Sequence, residues 1–122
     1  MKMSTPQPPT LDFARVEEAT GGDYEFMKEL VDLFLEDAAE RLRELEEAVA
    51  SGDADKLGKC AHKLKGSSAN VGADHMSHLA RSLEERAKQA NFDRVDEIVA
   101  LIAHQLSEVG PKFRSYIDSH AS

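Results

Sequence analysis

The chain has 122 residues, enough for one domain with its own core. Its formal charge of −8 excludes general nucleic-acid binding, which needs a basic footprint, and argues against attachment to an anionic membrane surface. With 41% hydrophobic and 31% charged residues and no apolar run near the ~20 residues of a spanning helix, it reads as a soluble globular domain.

Residues 1–9 hold three prolines and no apolar period, so a disordered tail is expected there. The same stretch lacks the apolar centre of a signal peptide, and a cytoplasmic location is the expectation. The domain itself is expected over residues 10–118, with 119–122 as a C-terminal tail. Thr10 or Asp12 caps a short first helix ending near Thr20, with Leu11, Phe13, Val16 and Ala19 inside and Gly21-Gly22 as its stop. Asp23 caps a second helix that runs to about Ala50. Val31, Ala38 and Leu45 recur in it every seven residues, as do Leu35, Leu42 and Val49, which suits long helices crossing at a shallow angle. Ser51-Gly52 stops it, and Asp53 caps a third helix ending near Val71-Gly72. Asp74 is the expected cap of a fourth, whose inner stripe is Met76, Leu79, Ala80, Leu83 and Ala87, with Asn91 closing it and Asp93 helping to start the fifth. Val95, Val99, Ile102, Leu106, Val109, Phe113 and Tyr116 keep one register across Gly110-Pro111, so a single long fifth helix kinked at that pair is predicted. No segment alternates with a period of two. The predicted fold is all-α: an antiparallel up-down four-helix bundle with a short extra N-terminal helix across one end.

The third helix carries the most informative residues. Leu57, Cys60, Ala61, Leu64, Ser68 and Val71 share one face, and at about 100° per residue His62 points roughly 140° away from its centre, toward water. Gly58 lies one turn before His62, Gly66 one turn after and Ala69 two turns after. A helix-interior glycine costs about 1 kcal/mol relative to alanine, so two of them beside one histidine suggest that something approaches the ring closely. Between Asp53 and Gly72, Lys56, Lys59, Lys63 and Lys65 oppose only Asp53 and Asp55, a basic island in an acidic chain. An exposed imidazole with a positive collar suits a nitrogen that takes up a phosphoryl group. Cys60, near the apolar face, reads as a small core residue rather than a redox thiol, and as the single cysteine it has no intrachain partner. Ser68 points inward and is expected to bond a backbone carbonyl. His75 and His78, three apart, lack the further ligands of a metal set, and no metal site is expected.

The string Ala61-His62-Lys63-Leu64-Lys65-Gly66-Ser67-Ser68-Ala69-Asn70-Val71-Gly72-Ala73 resembles the phosphorylation motif of histidine-containing phosphotransfer (HPt) domains. The resemblance takes in Gly21-Gly22-Asp23 with Phe26 three residues on, and Leu79-Ala80-Arg81-Ser82-Leu83-Glu84-Glu85-Arg86-Ala87-Lys88, covering most of the chain from about Leu11 to beyond Leu106. It implies a helical bundle in which His62 accepts and donates a phosphoryl group, Lys65 stabilises that group and Gly66 gives steric clearance. Lys59, Lys63, Ser67 and Ala69 are the candidate partner contacts, with an apolar docking patch expected around His62. Glu84 is expected to be a surface salt-bridge partner of the bundle rather than a site residue.

Two functions from different classes follow. The first is a phosphorelay module, a monomer carrying phosphoryl groups between the receiver domains of hybrid histidine kinases and response regulators. It needs no cofactor of its own, any Mg²⁺ belonging to the receiver's aspartate pocket. It is not an ATP-dependent autokinase, since no glycine-rich nucleotide loop is present. The alternative is a receiver-binding interaction module without chemistry, for which an intact His-x-Leu-Lys-Gly set has no purpose.

Overall fold

Short polar residues and glycines set the helix boundaries in the computed structural model, which describes residues 10–120. The N-terminal tail expected at residues 1–9 lies outside the described residues. Asp12 accepts from Ala14 N and caps α1 (Phe13–Thr20), and Asp23 accepts from Glu25 N and Phe26 N and caps α2 (Tyr24–Ser51). Asp53 accepts from Lys56 N and caps α3 (Ala54–Asn70). Then follow α4 (Asp74–Lys88) and α5 (Val95–His120).

The helices α2, α3, α4 and α5 pack in a ring, each against its chain neighbours, with α5 closing onto α2. This is the antiparallel bundle that the sequence pattern predicts. The heptad residues Val31, Ala38 and Leu45 are buried, and Leu35, Leu42 and Val49 pack against the same core. The α4 stripe Met76, Leu79, Ala80, Leu83 and Ala87 is buried in full. Each large aliphatic or aromatic side chain so buried stabilises the fold by about 1.5–3 kcal/mol.

The short helix α1 is tied across one end. Asp12 N donates to Gly72 O at 2.8 Å and Asp74 N donates to Thr10 O at 3.1 Å, a single antiparallel bridge onto the α3–α4 turn. Arg15 Nη1 donates to Ala69 O at 2.9 Å and to Asp74 Oδ1 at 2.6 Å. Phe13 stacks on Tyr116 at 4.2 Å between centroids and meets Phe113 edge-on at 5.4 Å.

Four local expectations are corrected. Asp74 is the first residue of α4, not its cap; the cap is Ala73, with no side-chain bond, because the Asp74 carboxylate is taken by Arg15. Asn91 does not close α4, which ends at Lys88. Ala90 instead turns with φ 51°, and the Asn91 side chain accepts from Asp93 N at 2.9 Å. Asp93 does not open α5, which starts at Val95 after Arg94 at φ 64°. Ser68 is buried as expected, but its hydroxyl meets no carbonyl. Helix α5 runs unbroken through Pro111, whose ring is exposed, and on through Ser119 and His120. Register wins over proline there because Val109, Phe113 and Ile117 are buried on one face across the pair.

Candidate functional site

His62 is held by a neighbour on another helix. Its side chain is 66% exposed, yet Nδ1 lies 2.8 Å from Glu84 Oε2 on α4. The other oxygen, Glu84 Oε1, accepts from Lys65 Nζ at 2.6 Å. Glu84 is itself only 12% exposed and Lys65 29%. One carboxylate thus bridges the imidazole and the lysine one turn along α3. Lys65 holds the Glu84 carboxyl below its ordinary range, against the opposing effect of burial, and His62 adds to this. An ionised carboxylate only accepts, so the Nδ1 contact is a hydrogen bond when Nδ1 carries the proton. Nε2 then carries the lone pair of a ring that is largely exposed.

Glu84 is the salt-bridge partner that the sequence pattern leads one to expect, and the side chains it pairs with are His62 and Lys65. The available signal was its phase: it falls four residues after buried Ala80 and three before buried Ala87, at the margin of the inner stripe. What was not available was the residue across from it, since pairing between antiparallel helices is not written in either helix alone.

The two glycines beside His62 differ. A Cβ on Gly66 would meet nothing within 4 Å, so that surface is open. A Cβ on Gly58 would lie 3.2 Å from Ala87 Cβ. Gly58 is therefore a helix-packing residue and not, as expected, a second clearance position. Together with Lys59, His62, Glu84, Ala87 and Lys88 it lines a shallow groove beside the imidazole.

The lysine collar is present on the surface. Lys59, 74% exposed, pairs with Asp55 at 3.0 Å, a contact that solvent screens to little energy. Lys63 is exposed and borders a groove between α2 and α3 with Arg41, Glu44, Lys56, Lys59 and Cys60. Ser67 is half-buried and donates to Leu64 O at 3.3 Å, while Ala69 is half-buried and offers its carbonyl to Arg15. The Cys60 thiol is pushed up to about 12 by burial and by Glu44, so it stays protonated and inert.

An apolar docking patch is the expectation around His62. Among the described residues, the exposed large hydrophobic side chains are Phe26 and Leu33 on α2, seven residues apart on one face. His62 sits two residues beyond Cys60, whose thiol donates to Arg41 O at 3.0 Å. Leu33 is eight residues up α2 from that level, on the order of 12 Å along the axis. His75 and His78 do not join His62. Burial lowers the His75 pKa, with His78 adding to the effect. Among the described residues no group of three or more His, Cys, Asp or Glu side chains is placed to hold a metal ion, and no helix is long and apolar enough to cross a membrane.

Fold and site define a class of protein: an all-α bundle whose third helix presents one exposed histidine, steadied from the fourth helix by a carboxylate. The Hpt domain family model matches residues 29–110, and the chain belongs to that family. It is similar to phosphorelay protein LuxU of Vibrio vulnificus strain YJ016, 34% identical over 74 residues, which are 60% of this chain and 64% of that protein. It is also similar to histidine-containing phosphotransfer protein 2 of Arabidopsis thaliana, 31% identical over 75 residues, 59% of this chain and 48% of the relative. The match therefore spans less than two thirds of the length of these curated relatives. The crystal structure of histidine-containing phosphotransfer protein B (HptB) from Pseudomonas aeruginosa PAO1 superposes with a TM-score of 0.84 at 28% identity, over 93% of this chain and 99% of HptB.

Proposed function

We propose that the chain relays phosphoryl groups between aspartate-bearing receiver domains through phospho-His62. The observation that carries this reading is the Glu84 contact, which occupies Nδ1 at 2.8 Å on a ring that is largely exposed, so that Nε2 is the nitrogen left for the chemistry. In the forward step Nε2 attacks the phosphorus of a receiver's aspartyl phosphate. The N–P bond forms, the acyl phosphate O–P bond breaks, and the aspartate leaves as a carboxylate. The positive charge left on the ring sits beside Glu84, which stabilises it without moving. The reverse step delivers the group to a second receiver. Lys65, which shares the Glu84 carboxylate with His62, is the cation assigned to the incoming oxygens in this reading, and Gly66, with open space around it, clears the approach of the partner.

The partners in this reading are receiver domains of hybrid histidine kinases and response regulators. Phe26 and Leu33 supply apolar contact on α2, Lys59 and Lys63 steer toward the receiver's acidic pocket, and Ser67 and Ala69 border the interface. Mg²⁺ belongs to that acidic pocket; this chain acts as a monomer with no cofactor of its own, and a cytoplasmic setting goes with such partners.

The test is transfer from a receiver domain charged with a small phosphodonor, followed by mapping of the modified residue. The expected label is acid-labile, alkali-stable, on His62, and absent from His62→Gln with helicity and melting unchanged. Binding of receivers without any label would turn the reading into a pure interaction module. A His62→Gln chain that unfolds would make the histidine structural.

A further inference from the structure

We propose that Gly58 and Ala87 are positioning residues: their side-chain-poor contact sets the α3–α4 separation that lets Glu84 reach His62. The inference rests on the phosphotransfer reading for its kinetic consequence, but its structural core does not depend on it. Helices α3 and α4 are antiparallel neighbours. His62 lies one turn beyond Gly58 on α3, and Glu84 lies one turn before Ala87 on α4. The Gly58·Ala87 layer and the His62·Glu84 layer are therefore adjacent rungs of one interface. The next rung is fixed as well, Lys65 pairing with the same Glu84 and Ser77 Oγ donating to Lys65 O at 3.0 Å.

In the first rung there is no slack. A Cβ on Gly58 would sit 3.2 Å from Ala87 Cβ, closer than ordinary contact. Ala87 is a buried methyl with no rotamer to turn away, so relief comes from separation of the backbones by a few tenths of an ångström. That movement is applied one turn from a 2.8 Å hydrogen bond made by a ring that is otherwise in water. The exposed ring has no packing to hold it once this bond lengthens. Glycine at 58 is thus kept against its poor helix propensity, since alanine would be the better helix former at that position.

The experiment uses the whole chain with ¹⁵N-labelled histidine, His62 being assigned by comparison with His62→Gln. Ring ¹⁵N shifts are read at alkaline pH, where imidazoles are neutral, for the parent, Gly58→Ala, Ala87→Gly and Gly58→Ala/Ala87→Gly. The parent is expected to show His62 protonated at Nδ1. Gly58→Ala is expected to be at least as helical, but with its His62 signals moved toward a tautomer mixture. The double variant is expected to restore the parent pattern. Transfer from a charged receiver should follow in parallel. A misplacement of about 1 Å costs on the order of 10²-fold, so a few tenths predict a loss of roughly three- to tenfold in Gly58→Ala and recovery in the double variant. Parent-like ring shifts in folded Gly58→Ala overturn the proposal. So does a double variant that stays displaced, which would mean that the added methyl acts on the groove and not on helix spacing. If no variant, the parent included, accepts phosphate while the ring shifts behave as expected, the phosphotransfer reading fails and the positioning role stands.

Discussion

Replacing Glu84 by alanine removes a carboxylate that makes two charge-assisted contacts, 2.8 Å to His62 Nδ1 and 2.6 Å to Lys65 Nζ. Hydrogen bonds to charged groups contribute about 1.5–3 kcal/mol when protected. The His62 ring is 66% exposed, so its share is discounted for solvent screening to about 1–2 kcal/mol. Applied to the barrier for phosphoryl transfer at 1.36 kcal/mol per tenfold, this predicts a rate lowered by roughly 5- to 30-fold. Glu84→Gln should fall between, because the amide keeps an oxygen acceptor for Nδ1–H but can also turn its NH₂ to the ring and favour the wrong tautomer. The loss of Glu84 also frees Lys65, which works the other way by giving the phosphoryl oxygens a mobile cation. Repeating the substitution in a Lys65→Ala background separates the two effects in a double-mutant cycle. The assay is single-turnover transfer from a phosphorylated receiver, with thermal melting as the control for folding. Rates within twofold of the matched parent in both backgrounds would refute the positioning of the imidazole by Glu84.

Gly66→Leu should leave the isolated protein folded, since nothing lies within 4 Å of the added Cβ, yet slow receiver-to-protein transfer about tenfold or more; an unchanged rate removes the clearance role. Gly72→Ala should destabilise the fold by about 2–4 kcal/mol, read as a lower melting temperature. Gly72 has φ 75°, and a Cβ there would stand 2.3 Å from Asp12 O; a parent-like melting temperature would mean that the α1 strap does not depend on this turn. The Glu84 carboxyl is held below its ordinary 4.5 chiefly by Lys65, so its contribution is complete above that value and is lost as pH falls through the lowered one. In urea unfolding, the stability difference between parent and Glu84→Gln should be present at neutral pH and shrink on acidification. A difference that grew in acid would contradict the sign.

The helices were legible because each has its own periodicity and punctuation. The five inner residues of α4 were readable from spacing alone, and so was the exposure of His62, since both are properties of one helix's phase. The continuation of α5 through Pro111 was readable for the same reason. What could not be read was whatever depends on a second element. Asp74 has the composition of a helix cap, but Arg15, 59 residues away, claims its carboxylate. Gly58 looks like Gly66 in sequence, and only Ala87 across the interface distinguishes them. Phe26 and Leu33 are exposed on α2, and how far they lie from His62 depends on how α2 and α3 pair, which neither helix's own pattern states.

The resting arrangement also bears on how Lys65 would meet a phosphoryl group in the proposed relay. A lysine at the third position after the histidine is easily pictured as waiting for phosphate, but here its ammonium is already paired with Glu84 at 2.6 Å and only 29% exposed. The His62–Glu84–Lys65 set is therefore close to charge balance before the phosphoryl group arrives. In that relay, a phosphoryl group on Nε2 would take up the ring's free lone pair and bring negative charge to the side chain that Glu84 contacts. Left alone, that carboxylate would repel it; with Lys65 shared between carboxylate and phosphoryl oxygens, the repulsion is cancelled. In the proposed relay, Lys65 would be shared between two anions rather than act as a dedicated phosphate ligand, and Glu84 would keep it from binding the phosphoryl group so tightly that onward transfer is slowed. A relay needs a group that is accepted and given up with similar ease, and a cation whose attraction is divided between two anions meets that requirement better than a free one.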